Sequence, residues 1–312
     1  MNVAFLFPGQ GAQKVGMGRE LYEASPAARS AFEQADAALD ESLSQLIFEG
    51  PAEDLTLTAN TQPAILTVSL AALGAFREKS DITPAFVAGH SLGEFSALVA
   101  AGAMTFEDAV RTTRARGKFM QEAVPAGKGA MAAILGSVAP EIITEICTAA
   151  STDEKVAPAN YNCPGQTVIS GHKAAVERAS SALGEEGAKV IPLAVSAPFH
   201  SSLMEPAAKQ LDGVLGELTY SELKVPVVTN VEAEPNSDAS RIHELLVRQV
   251  TAPVLWTESV RKMIDQGVHT FVEFGPGNVL AGLLRKIDKE ASVVSVNTPS
   301  GVDKAIEILK KL

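Results

Sequence analysis

The residues best suited to covalent chemistry centre on Gly89-His90-Ser91-Leu92-Gly93. This pentapeptide follows a short apolar run, Phe86-Val87-Ala88, and opens a small-residue helical segment from Leu92 to about Gly102. A G-x-S-x-G between a strand and a helix is the sequence form of a nucleophile elbow. The glycines leave room for a sharp turn, which pushes the Ser91 hydroxyl outward at a helix N-terminus. Free N–H groups and the helix dipole there favour developing negative charge. The competing reading is an ordinary strand-to-helix turn with Ser91 as a helix cap.

A nucleophilic serine needs a base, and the chain has five histidines. His172, His243 and His269 sit in polar or strand-flanking contexts typical of surface residues. His90 adjoins Ser91 and is expected to diverge from it around the elbow while lining the pocket. His200 stands out, in the loop Ser196-Ala197-Pro198-Phe199-His200-Ser201, which can overhang the elbow. Ser91 before His200 is the nucleophile-before-base order of α/β-hydrolases. No Asp or Glu lies at an obvious strand end between them, so something other than a carboxylate is expected to orient His200. Acyl transfer also needs an oxyanion hole. The N–H of Leu92 is one candidate donor, and the loop Pro8-Gly9-Gln10-Gly11, whose glycines allow close backbone approach, offers a second. The plain alternative for that loop is a tight first turn.

Several elements must position these groups. Val3 to Phe7 reads as a buried strand ended by Pro8. Helical patterns follow at Arg19–Tyr22, Pro26–Asp40 and Asn60–Lys79, with Pro63 suited to a first turn. Thr105-Phe106-Glu107-Asp108 caps a helix through Gln121. After Pro125 the character shifts. Strands at 130–135, 156–161, 167–170 and 189–194, with helices at 140–150 and 173–186, give β-α-β-β-α-β, the ferredoxin-like order. Residues 126–195 are therefore expected to form a small domain inserted into a large α/β domain of residues 1–125 and 196–312. Helices at 201–218, 242–250, 278–285 and 302–311 alternate with strands at 225–229, 270–274 and 292–296. This alternation predicts an α/β-hydrolase-like domain with a mostly parallel sheet.

Bulk properties narrow the class. The 312 residues are 46% hydrophobic and 20% charged, as in globular proteins. A net charge of −11 argues against a general nucleic-acid footprint. No apolar run reaches membrane-spanning length, and Met1 leads into a strand rather than a signal peptide. Two cysteines, Cys147 and Cys163, make neither a disulfide framework nor a metal cluster. The expectation is a cytoplasmic protein, a monomer, with no membrane partner, metal or bound cofactor.

A family resemblance rests on motifs that occur in order along nearly the whole chain. They are Gly9-Gln10-Gly11-Ala12-Gln13, Gly89-His90-Ser91-Leu92-Gly93-Glu94, Arg116-Gly117-Lys118-Phe119-Met120-Gln121, Ala159-Asn160-Tyr161-Asn162-Cys163-Pro164-Gly165-Gln166, Pro198-Phe199-His200 and Glu273-Phe274-Gly275-Pro276-Gly277. Together they resemble the malonyl-CoA:acyl carrier protein transacylases of bacterial fatty-acid synthesis, in their stand-alone form. The resemblance implies that Ser91 attacks the malonyl thioester and His200 takes its proton. It implies that the backbone carbonyl of Gln249 orients the imidazole, and that the N–H groups of Gln10 and Leu92 hold the oxyanion. A malonyl-Ser91 intermediate then passes to the phosphopantetheine thiol of acyl carrier protein, in ping-pong order.

The same resemblance selects Arg116 for the malonyl carboxylate. By spacing alone Arg111, Arg114 and Arg116 are equivalent, and a solvated helix face is open to all three. A guanidinium suits a carboxylate bidentately, and an acyl group lacking one would leave it unpaired at a cost of about 3 kcal/mol. In related polyketide acyltransferases a Phe at the position of Phe199 accompanies malonyl preference. Gln62, Met120 and Asn160 are expected to line the cleft between the domains and exclude water; ordinary packing is their alternative. Acidic carriers require a basic rim, with Lys128, Lys189, Lys209, Arg285 and Lys286 as candidates. A serine hydrolase or thioesterase on the same elbow, and a non-catalytic carrier-binding scaffold, are the rival functions.

Overall fold

The computed structural model describes residues 2–195 and 197–311. Ser196, the expected domain boundary, lies outside the described residues. Among the described residues ten strands form two sheets. β1 (Val3–Phe7), β2 (Phe86–Gly89), β7 (Val227–Val228), β8 (Pro235–Asn236), β9 (Thr270–Phe274) and β10 (Ser292–Val296) build one. β3 (Gly129–Leu135), β4 (Val156–Cys163), β5 (Gln166–His172) and β6 (Lys189–Pro192) build the other.

The large sheet runs β10-β9-β1-β2-β7-β8. It is parallel except where β8 returns antiparallel to β7. β1 is apolar at every position because both its faces are covered. Val3, Phe5 and Phe7 enter one core, and Ala4 and Leu6 enter the other. Phe5 meets Phe76 and Phe274 edge-on at centroid distances of 5.7 and 4.8 Å. Because β1 and β2 are parallel with Phe7 beside Gly89, the loops after both strands emerge at the same sheet edge. Ligands of open α/β sheets bind at that carboxyl edge.

The small sheet runs β4-β5-β3-β6 and is antiparallel throughout. Helices Pro140–Ala150 and Lys173–Glu185 cover one face, burying Ile143, Ala175 and Leu183 against Ala132, Ile134 and Ile169. The alternate residues Met131, Ala133 and Val168 face the main core. This is the ferredoxin-like order expected from the sequence. β6 ends at Pro192 rather than Ala194, and past it the Leu193 N–H bonds to Met131 O at 3.0 Å. β4 is irregular at Pro158/Asn160 and Tyr161/Cys163. There the Tyr161 N–H donates to Val254 O (2.9 Å) and the Val254 N–H to Ala159 O (2.9 Å). The small sheet is thus stitched to the loop before helix Trp256–Asp265.

Some elements differ from the sequence reading. The central helix spans Thr58–Arg77, so Pro63 is interior rather than in a first turn opened by Asn60. The Leu57 carbonyl accepts from both Asn60 and Thr61, each at 2.8 Å, and starts the helix earlier. Helices Leu43–Glu49, Ala52–Thr56 and Trp256–Asp265 and strand β8 were not anticipated. The segment expected as one helix over 201–218 splits into a 3-10 turn, Ser202–Met204, and helix Glu205–Gly216.

The elbow depends on missing Cβ atoms. A Cβ on Gly93 would lie 2.2 Å from Phe7 O, and one on Gly89 1.9 Å from the Gly93 carbonyl. Backbone cannot move aside as a flexible side chain can. Gly93→Ala should therefore cost about 3 kcal/mol by overpacking. Gly213, inside an exposed helix with open space around it, is the control. Gly213→Ala should stabilise by about 0.5–1 kcal/mol. Urea unfolding of both variants checks the pair.

Candidate active site

A cavity of about 490 Å³ opens where the carboxyl edge of the large sheet meets the small sheet. Ser91 stands on its wall at φ +52°, a left-handed conformation rare for a residue with a side chain. Its peptide is held from both sides. The Ser91 N–H donates to Asn230 Oδ1 (2.7 Å), and Ser91 O accepts from Gln249 Nε2 (3.0 Å). Asn230 also donates from Nδ2 to Gly89 O (2.7 Å), so one buried side chain clips the elbow on both arms.

His200 Nε2 lies 2.8 Å from Ser91 Oγ. On its other side, Nδ1 is 2.9 Å from Gln249 O and 3.2 Å from Ala252 O. Both partners are carbonyls, which only accept, so Nδ1 carries the proton and Nε2 is left to accept from the serine hydroxyl. Burial, then the nearby Arg116 charge and His90, push the His200 pKa down to about 3. The imidazole is therefore neutral, with Nε2 unprotonated and facing the serine hydroxyl. The buried strand-end carboxylate Glu273 does not serve it: Glu273 accepts from the Leu280 and Ala281 amides and caps helix Val279–Ile287.

The three arginines of helix Phe106–Glu122 separate. Arg111 donates to Ala38 O, and Arg114 pairs with Glu41 and Asn60. Arg116 alone reaches the cavity, 1% exposed. It donates from Nη1 to Gln62 Oε1 (2.7 Å), and from Nη2 to Gln249 Oε1 (2.9 Å) and Ser91 Oγ (3.1 Å). Among the described residues its Nε has no partner. Burial lowers the Arg116 pKa to about 10, with the Glu94 charge opposing, so it stays charged. A Cβ on the next residue, Gly117, would lie 2.5 Å from Thr58 O, so the two helices touch backbone to backbone beside it.

The other expected residues gather here too. Gln10, Leu92, Phe199, Gln62, Met120 and Asn160 all line the cavity. Gln62 donates to Met120 Sδ at 3.7 Å. Among the described residues the amides of Gln10 and Leu92 donate to no acceptor. His90 turns from Ser91, bonds Asn162 Oδ1 (2.8 Å) and packs on Trp256. His172 and His243 bond elsewhere, to Lys155 N and Asp212. Lys128, Lys189, Lys209, Arg285 and Lys286 are exposed and none lines the cavity. Lys286 is near enough for its charge to act on Cys163. The described residues include no group of three or more His, Cys, Asp or Glu placed to hold a metal ion.

Residues 4–302 match the family model described as an acyl transferase domain. The chain belongs to the acyl transferase family. It is 53% identical over 311 residues to the malonyl CoA-acyl carrier protein transacylase of Bacillus subtilis, covering 99% of this chain and 98% of that one. It is 47% identical over 306 residues to the Escherichia coli protein of the same name, covering 98% and 99%. The structure of an acyl-carrier-protein-S-malonyltransferase from Bartonella henselae superposes with a TM-score of 0.97 at 44% identity, covering 99% of this chain and all of that one. A type II polyketide synthase acyl carrier protein in complex with its malonyl-transacylase aligns with a TM-score of 0.96 at 44% identity, covering 99% and 100%.

Sequence reasoning missed parts of this acyl transferase site. Asn230, Ala252 and the side chain of Gln249 carry no motif of their own. Their one legible trait is position: Asn230 closely follows strand β7 at the carboxyl edge.

The depressed His200 pKa predicts a pH profile. A histidine at its ordinary value of 6.5 would be half protonated at that pH, with only the neutral half able to act as a base. His200 should stay neutral well below it. At saturating acyl donor, the single-turnover acylation rate of Ser91 should hold from pH 8 down to about 5. Rapid-quench acylation followed by mass measurement gives the profile; a fall centred on 6.5 would contradict it.

Proposed function

We propose that this chain moves the malonyl group from malonyl-CoA to the phosphopantetheine thiol of acyl carrier protein through a malonyl-Ser91 intermediate. The observation that carries this reading is Arg116. It is a buried guanidinium 3.1 Å from the nucleophile, with no carboxylate touching it among the described residues. A buried guanidinium with no carboxylate in direct contact is costly unless a ligand completes it. An acyl group bearing its own carboxylate does so. An unsubstituted acetyl group leaves the cost standing.

The steps follow from the hydrogen bonds. Ser91 Oγ attacks the thioester carbonyl as its proton moves to His200 Nε2. The carbonyl oxygen becomes an oxyanion held by the N–H groups of Gln10 and Leu92, which are free to donate. Collapse breaks the C–S bond, and His200 returns its proton to the departing CoA sulfur. The malonyl ester on Ser91 is then attacked by the carrier thiol, whose proton passes through His200 back to Ser91 Oγ. Gln249 O and Ala252 O stabilise the transient imidazolium as a triad carboxylate would, without adding an anion beside Arg116. Gln62 shares Arg116 with the substrate carboxylate, and Phe199, Met120 and Asn160 limit space and water around the acyl group. We place the protein in the cytoplasm as a monomer without a bound cofactor. Cys147 and Cys163, both buried and unpaired, fit a reducing compartment.

Incubation with malonyl-CoA should give a malonyl adduct by intact mass on the wild type and none on Ser91→Ala, and holo acyl carrier protein should discharge it. Release as free malonate without carrier would favour a hydrolase; no adduct at all would sink the reading. Arg116→Lys should lower malonyl kcat/KM by about a hundredfold, the equivalent of roughly 3 kcal/mol, while sparing acetyl transfer. Phe199→Ser should raise methylmalonyl transfer relative to malonyl in a competition assay; an unchanged ratio would remove Phe199 from specificity.

A further inference from the structure

Glu94 has no part in the steps above, yet it is a carboxylate buried directly behind them. It lies in the first turn of helix Gly93–Ala100, 2% exposed. Its Oε2 accepts from Gln249 Nε2 (2.8 Å) and from the Asn230 N–H (3.1 Å). Gln249 Nε2 is thereby committed to Glu94 and Ser91 O, which leaves Gln249 Oε1 to accept from Arg116 Nη2 at 2.9 Å. A carboxylate and a guanidinium so face each other across one amide group. Were that amide flipped, an NH2 would point at Arg116.

We infer that Glu94 is a positioning residue whose protonation is coupled to the substrate. It fixes the Gln249 amide and through it Arg116, and it takes up a proton from solvent when the malonyl carboxylate occupies Arg116. The inference rests on the reading of Arg116 as the malonyl site.

The number of charges in this enclosed space decides where the proton goes. Around Glu94 the charged group is Arg116. His200 and His90 are kept neutral by burial. Gln249 and Asn230 are neutral, and on the far side Leu98, Thr229, Asn236 and Leu246 border a small uncharged void. The free site thus pairs one anion with one cation. A malonyl carboxylate brings a second anion, and an uncompensated buried charge is expensive. The incoming carboxylate contacts the guanidinium directly, whereas Glu94 reaches it only through Gln249. Glu94 is thus the anion to be neutralised, and burial already holds its pKa up at about 7. His200, at about 3, is further from accepting a proton. Protonated Glu94 can still accept through its carbonyl oxygen, so Gln249 keeps its orientation.

The sign of the linkage is fixed. A group that is more protonated in the complex makes binding weaken as pH rises. In a Ser91→Ala background, which binds without reacting, titration calorimetry gives dissociation constants for malonyl-CoA and acetyl-CoA from pH 6.5 to 9. Their ratio cancels ionisation of the shared CoA phosphates. The malonyl-to-acetyl ratio of dissociation constants should rise above pH 7, by up to about tenfold per pH unit. Adding Glu94→Gln should flatten it, and Glu94→Asp should restore a slope. A merely structural role for Glu94 would move neither. A flat ratio with Glu94 present, or a slope that survives Glu94→Gln, overturns the inference. Should Glu94→Gln fail to fold, the Ser91→Ala protein in two buffers of different ionisation enthalpy decides. Near pH 7.5 it should take up protons with malonyl-CoA and none with acetyl-CoA; equal uptake overturns the inference. Malonyl-CoA binding no tighter than acetyl-CoA at any pH would instead break the Arg116 reading beneath it.

Discussion

One residue held in an unfavourable backbone conformation organises this protein. Ser91 sits at φ +52° because its amide is pinned by Asn230 and its carbonyl by Gln249. Both side chains are buried and come from the far half of the chain. The strain is sustained by the hydrogen bonds around it and by glycines that let Phe7, Gly89 and Gly93 meet backbone to backbone. His200 is held at φ +54°, so both partners of the Ser–His pair are in strained conformations fixed by their surroundings. The two-sheet architecture serves this end. β1 and β2 deliver the elbow; the loop after β7 brings Asn230, the loop after β6 brings His200, and helix Ile242–Thr251 brings Gln249.

The electrostatics follow from that confinement. In water-poor space each charge acts over a longer range, so the number of charges must be small. The site keeps one cation, Arg116, and orients its base with the carbonyls of Gln249 and Ala252 rather than an acid. A third carboxylate at His200 would compete for Arg116 with the substrate. The absent triad acid and the buried arginine are thus one design feature seen from two sides.

Much of this was legible in the sequence because the relevant rules are local. β9 and β10 fall at 270–274 and 292–296, where the alternation of strands and helices places them, and the ferredoxin-like order of the small sheet follows from its strand and helix spacing. The elbow could be read because its glycines are required within five residues of backbone. Arg116 could not be separated from Arg111 and Arg114 by spacing. The three differ only in which neighbour each helix face meets, and that is a tertiary fact. The central helix began before Asn60 because the Leu57 carbonyl is shared, which no propensity at Pro63 reports. Asn230 and Ala252 act through one side chain and one carbonyl, and a carbonyl leaves no residue-type signature at all.

The stitch between β4 and Val254 has a mechanical meaning. Val254 bonds both Ala159 and Tyr161, and two residues earlier the Ala252 carbonyl holds His200. The far wall of the cleft and the orientation of the base therefore share one short piece of backbone. For the walls to swing apart as a jaw does, these bonds must break or the backbone that orients the imidazole must move with them. The cleft so braced is suited to a slender arm threaded in from outside. A carrier can present its acyl cargo on such an arm while its own folded body stays at the entrance.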